Sequence, residues 1–159
     1  IHLNTEKMLK VGDKAPEFTL KNTEQKEVSL NDFEDKNLVI LFFPLAFTSV
    51  CTTELCNIRD NYSDYENLNA EVVGISVDSP FTLAKFKEQE SYNFDLLSDF
   101  NKKASEAYGA IYADLMGLQG VSKRAAFVVG EDGKIKYAEV LESPGDLPDF
   151  EAIKASLKE

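Results

Sequence analysis

Tryptophan is absent from this chain, histidine occurs once and cysteine only twice. Each scarcity removes a class of chemistry. A cysteine hydrolase needs a histidine base, and the single His2 stands in a terminus expected to be disordered. A closed structural zinc site takes four ligands, more than two cysteines and one remote histidine supply. Two thiols also fall short of the disulfide framework of a small secreted scaffold, and a reducing compartment would keep both free. Nothing in the composition asks for a metal or a cofactor.

Positive charge is scarce as well. Lys and Arg number 17 against 28 Asp and Glu, a formal net charge of -11 with a pI near 4.6. That balance disfavours nucleic acid and anionic lipid as partners, since both are held by clustered basic residues. Long apolar runs are missing too: Leu38 to Phe47 is too short to span a bilayer and is interrupted by Pro44. The stretch from Ile1 to Met8 lacks the basic region, apolar core and cleavage site of a signal peptide. The chain therefore reads as soluble and cytoplasmic, with residues 1–7 either a native extension or an addition ahead of Met8.

What is present suits one compact domain over residues 1–159, with 43% hydrophobic residues to fill a core. Glu17 to Lys21 alternates as a short strand, and the turn-prone Asn22 to Glu27 returns it to Val28 and Leu30 as an N-terminal β-hairpin. Leu38 to Phe43 and Val72 to Val77 are continuous apolar runs of strand length, the pattern of strands covered on both faces. Between them a helix is predicted from about Ser49 to Asn69, with Leu55, Ile58, Tyr62 and Tyr65 on one stripe. Strand, crossover helix and strand make a parallel βαβ unit. Further on the pattern predicts a helix over Pro80 to Gln89, a strand near Phe94 to Leu97 and a helix from Asn101 to Tyr108. Ala125 to Val129 and Ile135 to Val140 flank Gly130-Glu131-Asp132-Gly133 as an antiparallel hairpin. A helix from about Pro148, with Phe150, Ile153 and Leu157 on one side, closes the chain. The fold class is α/β, a mixed central sheet with helices on both faces. Gly109 to Ser122 has no clear period, and such loops often border sites.

Cys51 follows a buried strand by a tight connection and enters the first turn of a helix, with Thr48 or Ser49 as N-cap. Free backbone N–H groups and the positive end of the helix dipole stabilise a thiolate there. The carboxyl ends of buried strands are also where α/β sheets place ligands. The segment Pro44-Leu45-Ala46-Phe47-Thr48-Ser49-Val50-Cys51 has the form P-x-x-x-T-x-x-C, and with it the chain resembles the peroxiredoxins. Val11-Gly12-Asp13-Lys14-Ala15-Pro16-Glu17-Phe18, Leu96-Leu97-Ser98-Asp99, Ala107-Tyr108-Gly109 and Arg124 extend the resemblance over nearly the whole chain. Phe42 to Thr48 is worded like the one-cysteine alkyl hydroperoxide reductase E-like subgroup. The spacing Cys51-x4-Cys56 is that of the bacterioferritin-comigratory subgroup.

The resemblance implies a thioredoxin-like sandwich and a thiol-dependent peroxidase acting on hydrogen peroxide and organic hydroperoxides through a cysteine sulfenic acid. Cys51 would be the peroxidatic thiolate and Thr48 would orient the peroxide. Arg124 would stabilise the thiolate and the departing oxygen, Pro44 would shield the sulfur from water, and Glu54 would hold Arg124. Thioredoxin, glutaredoxin or a small thiol would be the reductant, and the protein a monomer or homodimer. Each residue also has a plainer reading: Thr48 as N-cap alone, Glu54 as a complement to the helix dipole, and Arg124 as a surface arginine with Arg59 its competitor.

Cys56 is the second thiol, and by resemblance the resolving one. At 100° per residue it lies roughly 140° from the centre of the inward stripe, whereas Cys51 lies near the middle. In an intact helix the two Cα atoms stand about 8.6 Å apart, beyond the limit of about 7 Å for a disulfide. Resolution by Cys56 therefore requires the first helical turn to unwind. The remaining readings are a one-cysteine peroxidase, a peroxide-sensing switch or holdase, and a thiol–disulfide oxidoreductase, the last disfavoured because that chemistry generally uses C-x-x-C.

Overall fold

In the computed structural model, which describes residues 9–158, seven strands form one sheet in the order β2-β1-β5-β4-β3-β6-β7. The centre is β3 (Asn37–Phe42), fully buried and paired in parallel with β4 (Ala70–Ser76) and antiparallel with β6 (Ala125–Val129). Its side chains alternate between two cores, as the strand period of two requires. Val39, Leu41 and the following Phe43 face one core; Leu38, Ile40 and Phe42 face the other. A strand wetted on neither face has no polar positions, which is why the run was legible.

On the first face lie α1 (Ser49–Asp60), α2 (Tyr62–Glu66), α3 (Pro80–Glu90) and α5 (Phe150–Leu157), which bury Leu55, Ile58, Tyr65, Leu83, Phe86, Ile153 and Leu157. Gly74 on β4 admits this layer closely: a Cβ there would come within 2.9 Å of Leu96 and 3.3 Å of Phe43. The second face is covered by α4 (Lys103–Ala107), a short 3-10 turn (Leu30–Phe33) and the Phe18 and Tyr108 rings. At one edge β1 (Thr19–Asn22) and β2 (Glu27–Ser29) form the N-terminal hairpin, which docks antiparallel on β5 (Asp95–Ser98). At the other edge β7 (Ile135–Val140) pairs with β6.

Two expectations of helix bounds need correction. The helix predicted over Ser49 to Asn69 is broken at Asn61, whose N–H is shared between the Asn57 and Ile58 carbonyls and whose side chain bonds back to Asn57. The apolar stripe runs through the break in phase, so periodicity alone could not reveal it. The helix predicted from Asn101 begins at Lys103, because Lys102 takes a left-handed conformation (φ 66°) and the Asp99 carboxylate accepts the N–H groups of Ala104 and Ser105. The loop from Gly109 to Ser122 is held by backbone bridges between Ile111 and Ser122 and between Leu115 and Leu118. The expected disorder of residues 1–7 lies outside the described residues.

Topology brings distant residues to one place. In the antiparallel pairing of β3 with β6, Phe42 stands opposite Ala125. The residue leaving β3 and the residue entering β6 therefore share one end of the sheet. Pro44 and the start of α1 follow the first, and Arg124 precedes the second.

Candidate active site

Beyond β3 the chain passes through buried Pro44 and a loop in which Phe47 adopts φ 68° and packs on Phe86, with ring centroids 4.9 Å apart. Asp78, just after β4, fastens this loop: its carboxylate accepts the Ala46 N–H at 2.8 Å and the Ser76 hydroxyl at 2.7 Å, and its carbonyl accepts the Ser98 hydroxyl. Sequence reasoning missed Asp78. Its position at the carboxyl end of a buried parallel strand was a usable signal.

Thr48 occupies the N-cap position of α1, but its side chain makes no capping bond and donates instead to the Leu45 carbonyl at 2.8 Å. No side chain at that position thus occupies the first-turn N–H groups, which point toward the end of the helix where Cys51 sits. Thr48 is exposed, on the rim rather than in the buried cluster.

That cluster joins three of the expected residues. Cys51 and Glu54 are 0% exposed and Arg124 1%. The Arg124 guanidinium donates from Nη2 to the Cys51 sulfur at 3.3 Å and from Nη1 to Glu54 Oε1 at 2.6 Å. Nε and Nη2 also donate to the Pro144 carbonyl. Arg124 is no surface arginine. Arg59, its competitor in the sequence, pairs with Asp60 and donates to the Glu90 carbonyl on the far side of α1.

The electrostatics of the cluster are unequal. Burial works against the charge of Arg124, but Glu54 and Cys51 outweigh it and hold the guanidinium above its ordinary range. Burial pushes the Glu54 carboxyl up to about 7, Arg124 pulling it down only in part, with Glu139 adding to the rise. Glu54 Oε2 is buried without a hydrogen-bond partner. One cation therefore faces both a carboxyl and a sulfur inside a buried cluster, and burial of the carboxyl opposes the pull of the guanidinium on it.

Cys56 is not in this cluster. It is half-buried and packs against the first core, closer to a small buried apolar residue than the helical projection suggested. Its sulfur lies 3.6 Å from Glu90 Oε1 and 3.7 Å from the Tyr92 hydroxyl. Both neighbours come from the end of α3 and the loop after it, about 35 residues on, so a projection of α1 alone left that side open to solvent. Both cysteines are free thiols on one uninterrupted helix.

Among the described residues no group of three or more His, Cys, Asp or Glu is placed to hold a metal ion, and no helix is long and apolar enough to cross a membrane. A cavity of about 670 Å³ between the N-terminal hairpin and the start of α3, lined in part by Phe18, Phe81 and Phe100, includes none of the clustered side chains.

A thioredoxin-like sheet that carries an arginine-paired thiol at the end of its central strand belongs to the class of thiol-based oxidoreductases. Comparison narrows the class. Residues 11–138 match the AhpC/TSA family. The chain is 39% identical over 145 residues to alkyl hydroperoxide reductase E of Mycobacterium tuberculosis, covering 89% of this chain and 92% of that protein. It is 37% identical over 133 residues to peroxiredoxin Bcp of Escherichia coli, covering 81% and 84%. The crystal structure of peroxidoxin BcpB from Mycobacterium tuberculosis superposes with a TM-score of 0.84 at 29% identity, over 94% of this chain and 97% of that one. The chain belongs to the AhpC/TSA family and is a peroxiredoxin, a thiol-dependent peroxidase.

Proposed function

We propose that Cys51 is the peroxidatic nucleophile, reducing hydrogen peroxide and organic hydroperoxides, and that Cys56 resolves it. The observation that carries this reading is the buried contact of Arg124 with Cys51. A guanidinium fixed against a sulfur in a dry pocket favours the thiolate, the form that attacks. The thiolate takes the terminal peroxide oxygen, the O–O bond breaks, and the leaving oxygen departs as an alcohol or water after gaining a proton. Arg124 stabilises charge on that oxygen. Thr48, on the rim, orients the peroxide, while Pro44 walls the loop and Glu54 positions Arg124.

Cys56 then attacks the sulfenic sulfur, water leaves, and a Cys51–Cys56 disulfide forms for reduction by thioredoxin, glutaredoxin or a small thiol. Both cysteines lie on one intact helix, so this step requires the N-terminal turns of α1 to unwind. The enzyme acts as a single domain in the cytoplasm, as a monomer or homodimer.

The test is peptide mass analysis after one equivalent of peroxide, alongside the rate of peroxide consumption. A Cys51–Cys56 disulfide is expected in the wild type, with no consumption by Cys51→Ser. Persistent sulfenic or sulfinic acid on Cys51 with Cys56 still free would sink the resolving role and favour a one-cysteine peroxidase. Undiminished consumption by Cys51→Ser would sink the nucleophile.

A further inference from the structure

Disulfide formation from a sulfenic acid needs a thiolate, and Cys56 has no arginine hydrogen-bonded to its sulfur of the kind that serves Cys51. Its partners are of the opposite kind. The sulfur faces the Glu90 carboxylate at 3.6 Å and the Tyr92 hydroxyl at 3.7 Å. A thiol beside a carboxylate donates its hydrogen to it. Arg59 and Asp60 on the same helix complete the charged surroundings. Burial, then the contact with Cys56, keeps the Tyr92 phenol well above its ordinary range, so it remains a neutral hydroxyl.

The same contacts decide which part of α1 can move. Arg59 donates to the Glu90 carbonyl, and the Asn93 amide donates to the Arg59 carbonyl. The C-terminal half of the helix is thereby stapled to the end of α3 and the loop after it. The N-terminal half meets that loop through a Tyr92 hydroxyl contact to the Thr52 carbonyl at 3.5 Å, its other polar ties running to Arg124 from Cys51 and Glu54. When the first turns unwind, Cys51 travels and Cys56 stays beside Glu90.

We infer that Glu90 is the general base of the resolving step, taking the Cys56 proton as that sulfur attacks oxidised Cys51, with Tyr92 positioning the thiol. The step balances without any further reagent. The Cys56 S–H bond breaks and its proton passes to the Glu90 carboxylate. The sulfur pair forms the S–S bond, the Cys51 S–O bond breaks, and the leaving hydroxide gains a proton to become water. Cys51 sulfur is reduced and Cys56 sulfur oxidised. Glu90 is half-buried at a helix end and returns its proton to solvent. A positioned base contributes about 10²–10⁴ in rate, and a contact through sulfur at this distance falls at or below the low end of that range.

The inference rests on Cys56 as the resolving thiol, and rapid-quench kinetics separate the two. Cys51 oxidation and disulfide formation are followed independently in the wild type, Glu90→Gln and Glu90→Asp. Glu90→Gln should oxidise Cys51 at the wild-type rate but form the disulfide at least about tenfold more slowly. Its disulfide rate should climb steeply with pH as bulk hydroxide replaces the carboxylate, where the wild-type rate changes little. Glu90→Asp should recover part of the rate. An unchanged disulfide rate in Glu90→Gln, or a slowing that leaves the pH profile parallel to the wild type, would overturn the role of Glu90 while leaving Cys56 as resolver. Absence of any disulfide in the wild type would remove the reading on which it rests.

Discussion

The two halves of α1 carry the same functional group in opposite surroundings. At the N-terminal end Cys51 is sealed in the core against a guanidinium; at the other end Cys56 is half-buried against a carboxylate and a phenol. One helix thus presents one sulfur to a guanidinium and the other to a carboxylate and a phenol. The difference teaches that the charge beside each thiol is brought in from elsewhere in the chain, from Arg124 just before β6 for one cysteine and from the end of α3 for the other. The local sequence around each thiol is less telling. The two halves also differ in their ties: Arg124 holds the first through Cys51 and Glu54, and Arg59 holds the second to the Glu90 carbonyl and the Asn93 amide.

The comparison breaks most completely at Arg124. Arg124→Met should lower the second-order rate with peroxide by about 10²–10³, since it removes the one fixed positive charge at the sulfur. It should also cost about 3–5 kcal/mol at a pH where Glu54 is ionised, because that carboxylate is left buried without its partner. Adding Glu54→Gln should restore much of the stability, read by thermal melts, and none of the rate.

Glu54 itself makes a pH prediction. Its carboxyl titrates near 7 in the fold against an ordinary 4.5. Between those values the folded state holds a proton that the unfolded chain releases, so this residue's contribution to stability declines as pH rises from about 4.5 to 7. The full difference is of the order of 3 kcal/mol. Denaturant melts of Glu54→Gln should show a flatter pH dependence across that window; a profile parallel to the wild type would assign the slope to other groups.

Thr48→Val should slow peroxide reduction about tenfold to hundredfold, with a melting temperature close to wild type, because the exposed hydroxyl donates to a loop carbonyl, that of Leu45. The smallest effect falls on the stapled half. Tyr92→Phe removes the hydroxyl that touches Cys56 and the Thr52 carbonyl, and should cost about 0.5–1.5 kcal/mol while leaving Cys51 oxidation unchanged.

The central architecture was legible because it is written in local pattern. The unbroken apolar runs of β3 and β4, the start of the helix that follows Pro44 and the hairpin around Gly130 to Gly133 all appear where periodicity put them. The spacing of Pro44, Thr48 and Cys51 was legible through its resemblance to a family motif. What stayed hidden arises between distant segments. The pairing of Glu54 with Arg124, 70 residues on, came from the family resemblance rather than from any local pattern, and the burial of Arg124 follows from the pairing of Phe42 with Ala125. The surroundings of Cys56 depend on where α3 ends, and the attachment of Asp78 to Ala46 crosses two strands. Asn61 breaks the helix without disturbing the apolar stripe, so the pattern passed over it.

The division of α1 is tested most directly by hydrogen exchange on the enzyme oxidised by one equivalent of peroxide, resolved along residues 49–60. The amides up to Cys56 should lose protection relative to the reduced protein, while those of Asn57 to Asp60, tied to Glu90 and Asn93, should keep it. Equal protection throughout both states, or its loss across the whole helix, would contradict a turn that unwinds beside a half that stays.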